Sequence, residues 1–199
     1  MNVKNLNFKE TAFSDIESHI LCCKKLMKNN FDEIISAAEL VEQTLKSGGT
    51  IFWCGNGGSA SDSQHLNAEL IGRFEEDRDP LRSVALTTDT SVITSLSNDY
   101  SYDFIFKRQL AALGKPGDLL IAISTSGNSK NIIEVLKEAK KMGIESFALL
   151  GKDGGKAKDI ADKKIVVPSN RTSRIQEMHI LIGHIICSLS EKKNLNKST

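Results

Sequence analysis

The sequence predicts an α/β protein on a doubly wound, five-stranded parallel sheet flanked by helices, and three observations predict it. Ile51–Cys54, Val84–Leu86, Leu119–Ile123, Phe147–Leu150 and Ile165–Val167 are short apolar runs without polar alternation, the pattern of strands buried on both faces. Helical spacing fills the gaps between them, as right-handed crossovers in a parallel sheet require. Two runs end in turns of small and hydroxyl residues, Gly55-Asn56-Gly57-Gly58-Ser59 and Ser124-Thr125-Ser126-Gly127-Asn128-Ser129. In such sheets ligands sit beyond the carboxyl ends of the strands.

The elements follow in order. Phe8 to about Asn29 predicts a helix, with Phe13, Ile16, Ile20 and Cys23 on one face. Asp32–Lys46 predicts a second, with Ile35, Ala38, Val41, Glu42 and Leu45 at helical spacing. Ser47-Gly48-Gly49 ends it, because glycine takes the left-handed conformation past a helix C-terminus. The alternating part then has helical patterns at Ala60–Phe74, Ser91–Leu96, Phe104–Leu113 and Asn131–Met142, with a short piece near Ala157–Ala161. Pro168 stops the last strand, and a long helix from about Arg174 to Ser190 closes the domain. The expected division is one domain: a helical segment 1–47, an α/β core 48–190, and a polar, frayed tail 191–199.

Composition narrows the function classes. The 199 residues carry 26 Lys and Arg against 25 Asp and Glu, a net charge of +1, which gives no electrostatic footprint for nucleic acid. No apolar run approaches the ~18 residues of a membrane span, and the first residues lack the apolar core of a signal peptide. The expectation is a cytoplasmic protein with neither nucleic-acid nor membrane partners. Cys22, Cys23, Cys54 and Cys187 form no C-x-x-C pair and are expected to be buried structural thiols.

The two turns permit anion binding. Backbone N–H groups at a helix N-terminus, the helix dipole and nearby hydroxyls hold a phosphate without a cationic side chain. The competing account of the serine turn is ordinary capping. The glycine turn is neither a dinucleotide fingerprint nor a P-loop: it lacks the third glycine, and no Gly-Lys-Ser/Thr follows. Beside it, His65 and Glu69 stand at i and i+4 on one helix face. On the closing helix, Gln176 and His184 lie two turns apart on nearly the same side, while His179 is offset. These groups could bind a divalent metal through N and O ligands. Taken singly they read first as a solvated pair and a hydrogen-bonded core histidine, and the shared proximity to a phosphate-type site is what raises the functional reading. A carboxylate beside a sugar carbonyl, an imidazole moving protons between oxygens, and a metal polarising the carbonyl together make an aldose–ketose isomerase.

These residues resemble the sugar isomerase (SIS) domain family, and within it the bacterial phosphoheptose isomerases, over nearly the whole chain. The carrying motifs are Cys54 to Ser59, His65-x3-Glu69, Gly72-Arg73, Ser97-Asn98-Asp99, Ile123 to Ser129, Gly151 to Gly155, and Arg174 to His179 with His184. The resemblance implies a flavodoxin-like sheet, N-terminal helices used for oligomerisation, and a homotetramer with active sites at subunit boundaries. It implies Glu69 as the base between carbons and His184 as the acid/base on the oxygens. It implies one zinc ion per subunit at His65, Glu69, Gln176 and His184. It places Ser124, Thr125, Ser126 and Ser129 on the phosphate, and Asn56, Gly57, Gly58, Ser59, Glu69, Asn98, Asp99 and Gln176 on the rest of the substrate. The implied reaction converts sedoheptulose 7-phosphate to D-glycero-D-manno-heptose 7-phosphate for nucleotide-activated heptose synthesis. The alternative is a non-enzymatic homologue of the same fold that binds the bacterial replication initiator. That adaptor lacks the Glu and His, whereas Glu69 and His184 are present here.

Overall fold

The computed structural model describes residues 7–195. Two helices, α1 (Phe8–Asn29) and α2 (Phe31–Lys46), precede the alternating part. That part runs β1 (Ile51–Gly55), α3 (Gly58–Ile71), β2 (Ser83–Ala85), α4 (Thr90–Asp99), a 3₁₀ turn Tyr102–Phe104, α5 (Ile105–Leu113), β3 (Leu119–Ser124), α6 (Lys130–Met142), β4 (Glu145–Leu150), a 3₁₀ turn Lys156–Asp159, β5 (Lys163–Val166) and α7 (Thr172–Leu195). The five strands are parallel in the order β2-β1-β3-β4-β5. Strand order reverses between β1 and β3, which opens a crevice at their carboxyl ends.

Each strand feeds two cores, because successive side chains point to opposite faces. Ile51 and Trp53 pack with Leu66, Ile175, Met178 and Ile182 on the face covered by α2, α3 and α7. Phe52 and Cys54 pack with Phe106, Leu110, Ile132 and Leu136 on the face of α5 and α6. Burial pushes the Cys54 thiol far up, and the Cys187 thiol up to about 12. Cys22, Cys54 and Cys187 are buried and unbridged, as expected, while Cys23 is only partly covered.

The structure corrects the sequence in three places. The third helix stops at Ile71 rather than Phe74, because Gly72 caps it and the Arg78 guanidinium takes the carbonyls of Glu69 and Leu70. The short piece near Ala157 is a 3₁₀ turn. The closing helix runs past Ser190 to Leu195, and Glu191 is buried rather than part of a frayed tail. The rest of that tail, 196–199, lies outside the described residues. On α1, Cys22 and Leu26 face the core while Phe13, Ile16 and Ile20 are exposed. Among the described residues no helix is long and apolar enough to cross a membrane.

Candidate active site

Both loops predicted to bind ligand lie at the β1/β3 reversal, since Gly55 of β1 pairs with Ile123 of β3. They are stitched together by a reciprocal amide pair. Asn56 Nδ2 donates to Asn131 Oδ1 at 2.9 Å, and Asn131 Nδ2 donates back to Asn56 Oδ1 at 2.8 Å. Tyr102 adds its hydroxyl to Asn56 Oδ1 at 2.9 Å. Asn56 is thus a strut between the glycine turn and the N-terminus of α6. Gly58 opens α3, and a Cβ there would come within 2.3 Å of Gln176 Nε2. Only glycine lets the Gln176 amide lie over that helix end.

The serine loop is internally braced. The Ser124 hydroxyl accepts the Gly127 N–H at 3.1 Å, and the Ser126 hydroxyl accepts the Asn128 N–H at 3.2 Å. Ser129 occupies the N-cap of α6 but makes no side-chain capping bond. Ordinary capping therefore does not account for Ser129, and its hydroxyl remains beside the helix N-terminus, where an anion is favoured.

His65, Glu69 and His184 converge, with one ligand atom from each lying within 4.8 Å of the others. His65 Nε2 is 2.9 Å from His184 Nε2 and 3.3 Å from Glu69 Oε1. The helices α3 and α7 come close enough because Gly183 faces Leu66, where a Cβ would sit 2.4 Å from Leu66 Cδ1. Burial, then the neighbouring His65, hold the His184 imidazole below its ordinary range against an opposing pull from Glu69. His184 is therefore neutral near pH 7, the form that accepts a proton or a metal. Tetrahedral zinc with bonds of about 2.0–2.2 Å needs donors roughly 3.3 Å apart. Two imidazole nitrogens and a carboxylate oxygen, with His65 Nε2 at 2.9 and 3.3 Å from the other two and all three within 4.8 Å, are a donor set of the right kind to close on such an ion.

A profile of the SIS domain matches residues 16–151. The phosphoheptose isomerase of Clostridium acetobutylicum is 50% identical over 182 residues, covering 90% of this chain and 93% of that protein. The solved structure of a phosphoheptose isomerase from Neisseria gonorrhoeae superposes with a TM-score of 0.89 at 42% identity, covering 94% of this chain and all of that one. That of a phosphoheptose isomerase from Francisella tularensis gives 0.91 at 35%, with the same coverage. The chain belongs to the phosphoheptose isomerase family of SIS-domain proteins. The adaptor alternative finds no support in these comparisons.

Besides Asn56 to Ser59 in the glycine turn, the predicted residues fall in four places. His65, Glu69 and His184 form one cluster; Gln176 lies at the glycine-turn end of α3; Ser124, Thr125, Ser126 and Ser129 share the loop after β3. Asn98 and Asp99 stand exposed at the end of α4, where Asn98 Nδ2 donates to Asp99 Oδ1 at 2.8 Å. His179 is not in the cluster: it is fully buried with Nε2 3.0 Å from the Leu150 carbonyl. Sequence reasoning missed Asn131, read only as a helix residue, and Tyr102. It also missed Asp62, one turn before His65, whose carboxyl burial raises to about 6 against the pull of His65. Its signal was its i−3 spacing to His65.

Proposed function

We propose that this site interconverts sedoheptulose 7-phosphate and D-glycero-D-manno-heptose 7-phosphate, an aldose–ketose isomerisation that opens nucleotide-activated heptose synthesis. The observation that carries the assignment to particular residues is the convergence of His65, Glu69 and His184 on α3, the helix that opens at the glycine turn, and α7. In this account Ser124, Thr125, Ser126 and Ser129 hold the phosphate at the N-terminus of α6. Asn56, Gly57, Gly58, Ser59, Asn98, Asp99 and Gln176 orient the sugar. The Glu69 carboxylate removes the proton from C1 of the ketose and returns it to C2. The His184 imidazole carries a proton between the two oxygens, which its neutral form permits. His65, Glu69, His184 and Gln176 would hold the zinc ion. When bound there, zinc would polarise the carbonyl and stabilise negative charge on oxygen.

The protomer is read as one SIS domain whose N-terminal helices α1 and α2 serve assembly; residues 1–6 of the expected segment 1–47 lie outside the described residues. Phe13 and Ile16 leave 64% and 61% of their surface exposed, with Ile20 beside them. An apolar stripe of this kind on a helix marks an interface, and supports a homotetramer with sites at subunit boundaries. The protein is read as cytoplasmic, acting on a small sugar phosphate without nucleic-acid or membrane partners. The test of the metal is turnover of sedoheptulose 7-phosphate followed by NMR, with chelator and with zinc restored. Activity lost in chelator and regained with zinc is expected; activity indifferent to chelator would remove zinc from the account.

A further inference from the structure

The segment after α3 is held by a buried charge that the reaction does not use. Glu191 is 1% exposed. Its carboxylate accepts the N–H groups of Phe74, Glu75 and Glu76 at 2.9, 2.8 and 3.0 Å. Arg78 Nε pairs with Glu191 Oε1 at 3.3 Å. The Arg78 guanidinium also donates to the carbonyls of Glu69 at 2.7 Å, Leu70 at 2.9 Å, Gly72 at 3.3 Å and Asp79 at 3.0 Å. One buried ion pair therefore fixes two things: the end of the helix that carries Glu69, and the backbone of Phe74.

The Phe74 ring lies against the His184 ring, with centroids 5.5 Å apart and planes tilted by 32°. His184 and Glu191 are seven residues apart on α7, two turns along the same face. The helix thus carries an active-site imidazole and, two turns on, the carboxylate that holds the aromatic ring against it. A buried ion pair costs desolvation that apolar residues would avoid, so stability alone is a weak reason for this one.

We propose that Glu191 is a positioning residue for the isomerisation: with Arg78 it holds Phe74 against His184 and thereby fixes the orientation of the His184 imidazole. The inference rests on the isomerase reading for its kinetic arm but not for its spectroscopic one. Groups that orient metal-binding and proton-transfer side chains typically matter by roughly ten- to a hundredfold. Residues that act through one another lose function together rather than multiplicatively.

The test compares Glu191→Gln, Phe74→Leu and the double variant in the full chain loaded with zinc. Turnover of sedoheptulose 7-phosphate is measured beside the imidazole NMR signals of the four histidines, with His184→Asn assigning the His184 signal. The expected result is a kcat lowered about tenfold in each single variant with KM changed less than about twofold. The double variant is no worse than the weaker single variant. The His184 signal moves in both single variants, while those of His19 and His179 stay. A lowered melting temperature with unchanged kcat and an unmoved His184 signal would overturn the proposal, leaving Glu191 a structural cap. Multiplying losses in the double variant would overturn it as well. If Glu191→Gln does not fold, Glu191→Asp and Phe74→Leu carry the same comparison. A wild-type protein without turnover would sink the isomerase reading, and the His184 signal would still decide the positioning.

Discussion

His179 and His184 share one helix and have opposite fates. His184 is partly open to the site, whereas His179 donates from Nε2 to the Leu150 carbonyl inside the core. Its Nδ1 has no hydrogen-bond partner among the described residues. Burial lowers its pKa to about 4, partly offset by the bond to Leu150. The unfolded chain therefore binds a proton below about pH 6.5 that the folded chain refuses until about pH 4. Stability is lost as pH falls through that window, by roughly 2 kcal/mol at pH 5. Urea unfolding at pH 7 and pH 5 checks this: His179→Gln should shrink the pH difference by about that amount, and an undiminished difference would contradict it. A second outcome at this scale concerns the serine loop. If Ser126 donates to phosphate as proposed, Ser126→Ala should raise KM about tenfold with a smaller effect on kcat; an unchanged KM would take Ser126 off the phosphate.

At the scale of elements, the contact between α3 and α7 decides whether His65 meets His184. Gly183 is the point of closest approach, so Gly183→Ala should overpack it. The expected cost is about 1–3 kcal/mol in denaturant unfolding, with weaker zinc binding by metal titration. Undiminished zinc affinity would show that the helix spacing is not what holds the donors together. The strands, the helix periods and the His65/Glu69 pair were legible in sequence because each is set by neighbours along the chain. What was not legible depends on partners far away. Asn56 meets Asn131, and the Glu191 carboxylate meets the backbone of Phe74 to Glu76. A polar helix end looks frayed when the N–H groups it captures lie more than a hundred residues upstream. The end of α3 was misplaced for a nearer reason: Gly72 and the Arg78 guanidinium terminate the helix before its apolar pattern runs out at Phe74.

For the whole molecule, the five-stranded order puts both loops at one crevice, and the helical N-terminal segment leaves an apolar stripe outside. On the proposed tetramer, Ile16→Asp should lower the sedimentation coefficient at micromolar concentration; a wild-type monomer there would refute that proposal. The central claim is that Glu69, within the cluster on α3 and α7, performs the proton transfer of an aldose–ketose isomerase. The measurement that tests it most directly is NMR observation of sedoheptulose 7-phosphate incubated with zinc-loaded wild type and with zinc-loaded Glu69→Gln of matched fold and oligomeric state. The account predicts aldose phosphate accumulating with the wild type and none with the variant, although the variant still binds the sugar phosphate. Aldose phosphate formed by Glu69→Gln at the wild-type rate, or none formed by the wild type, would contradict it.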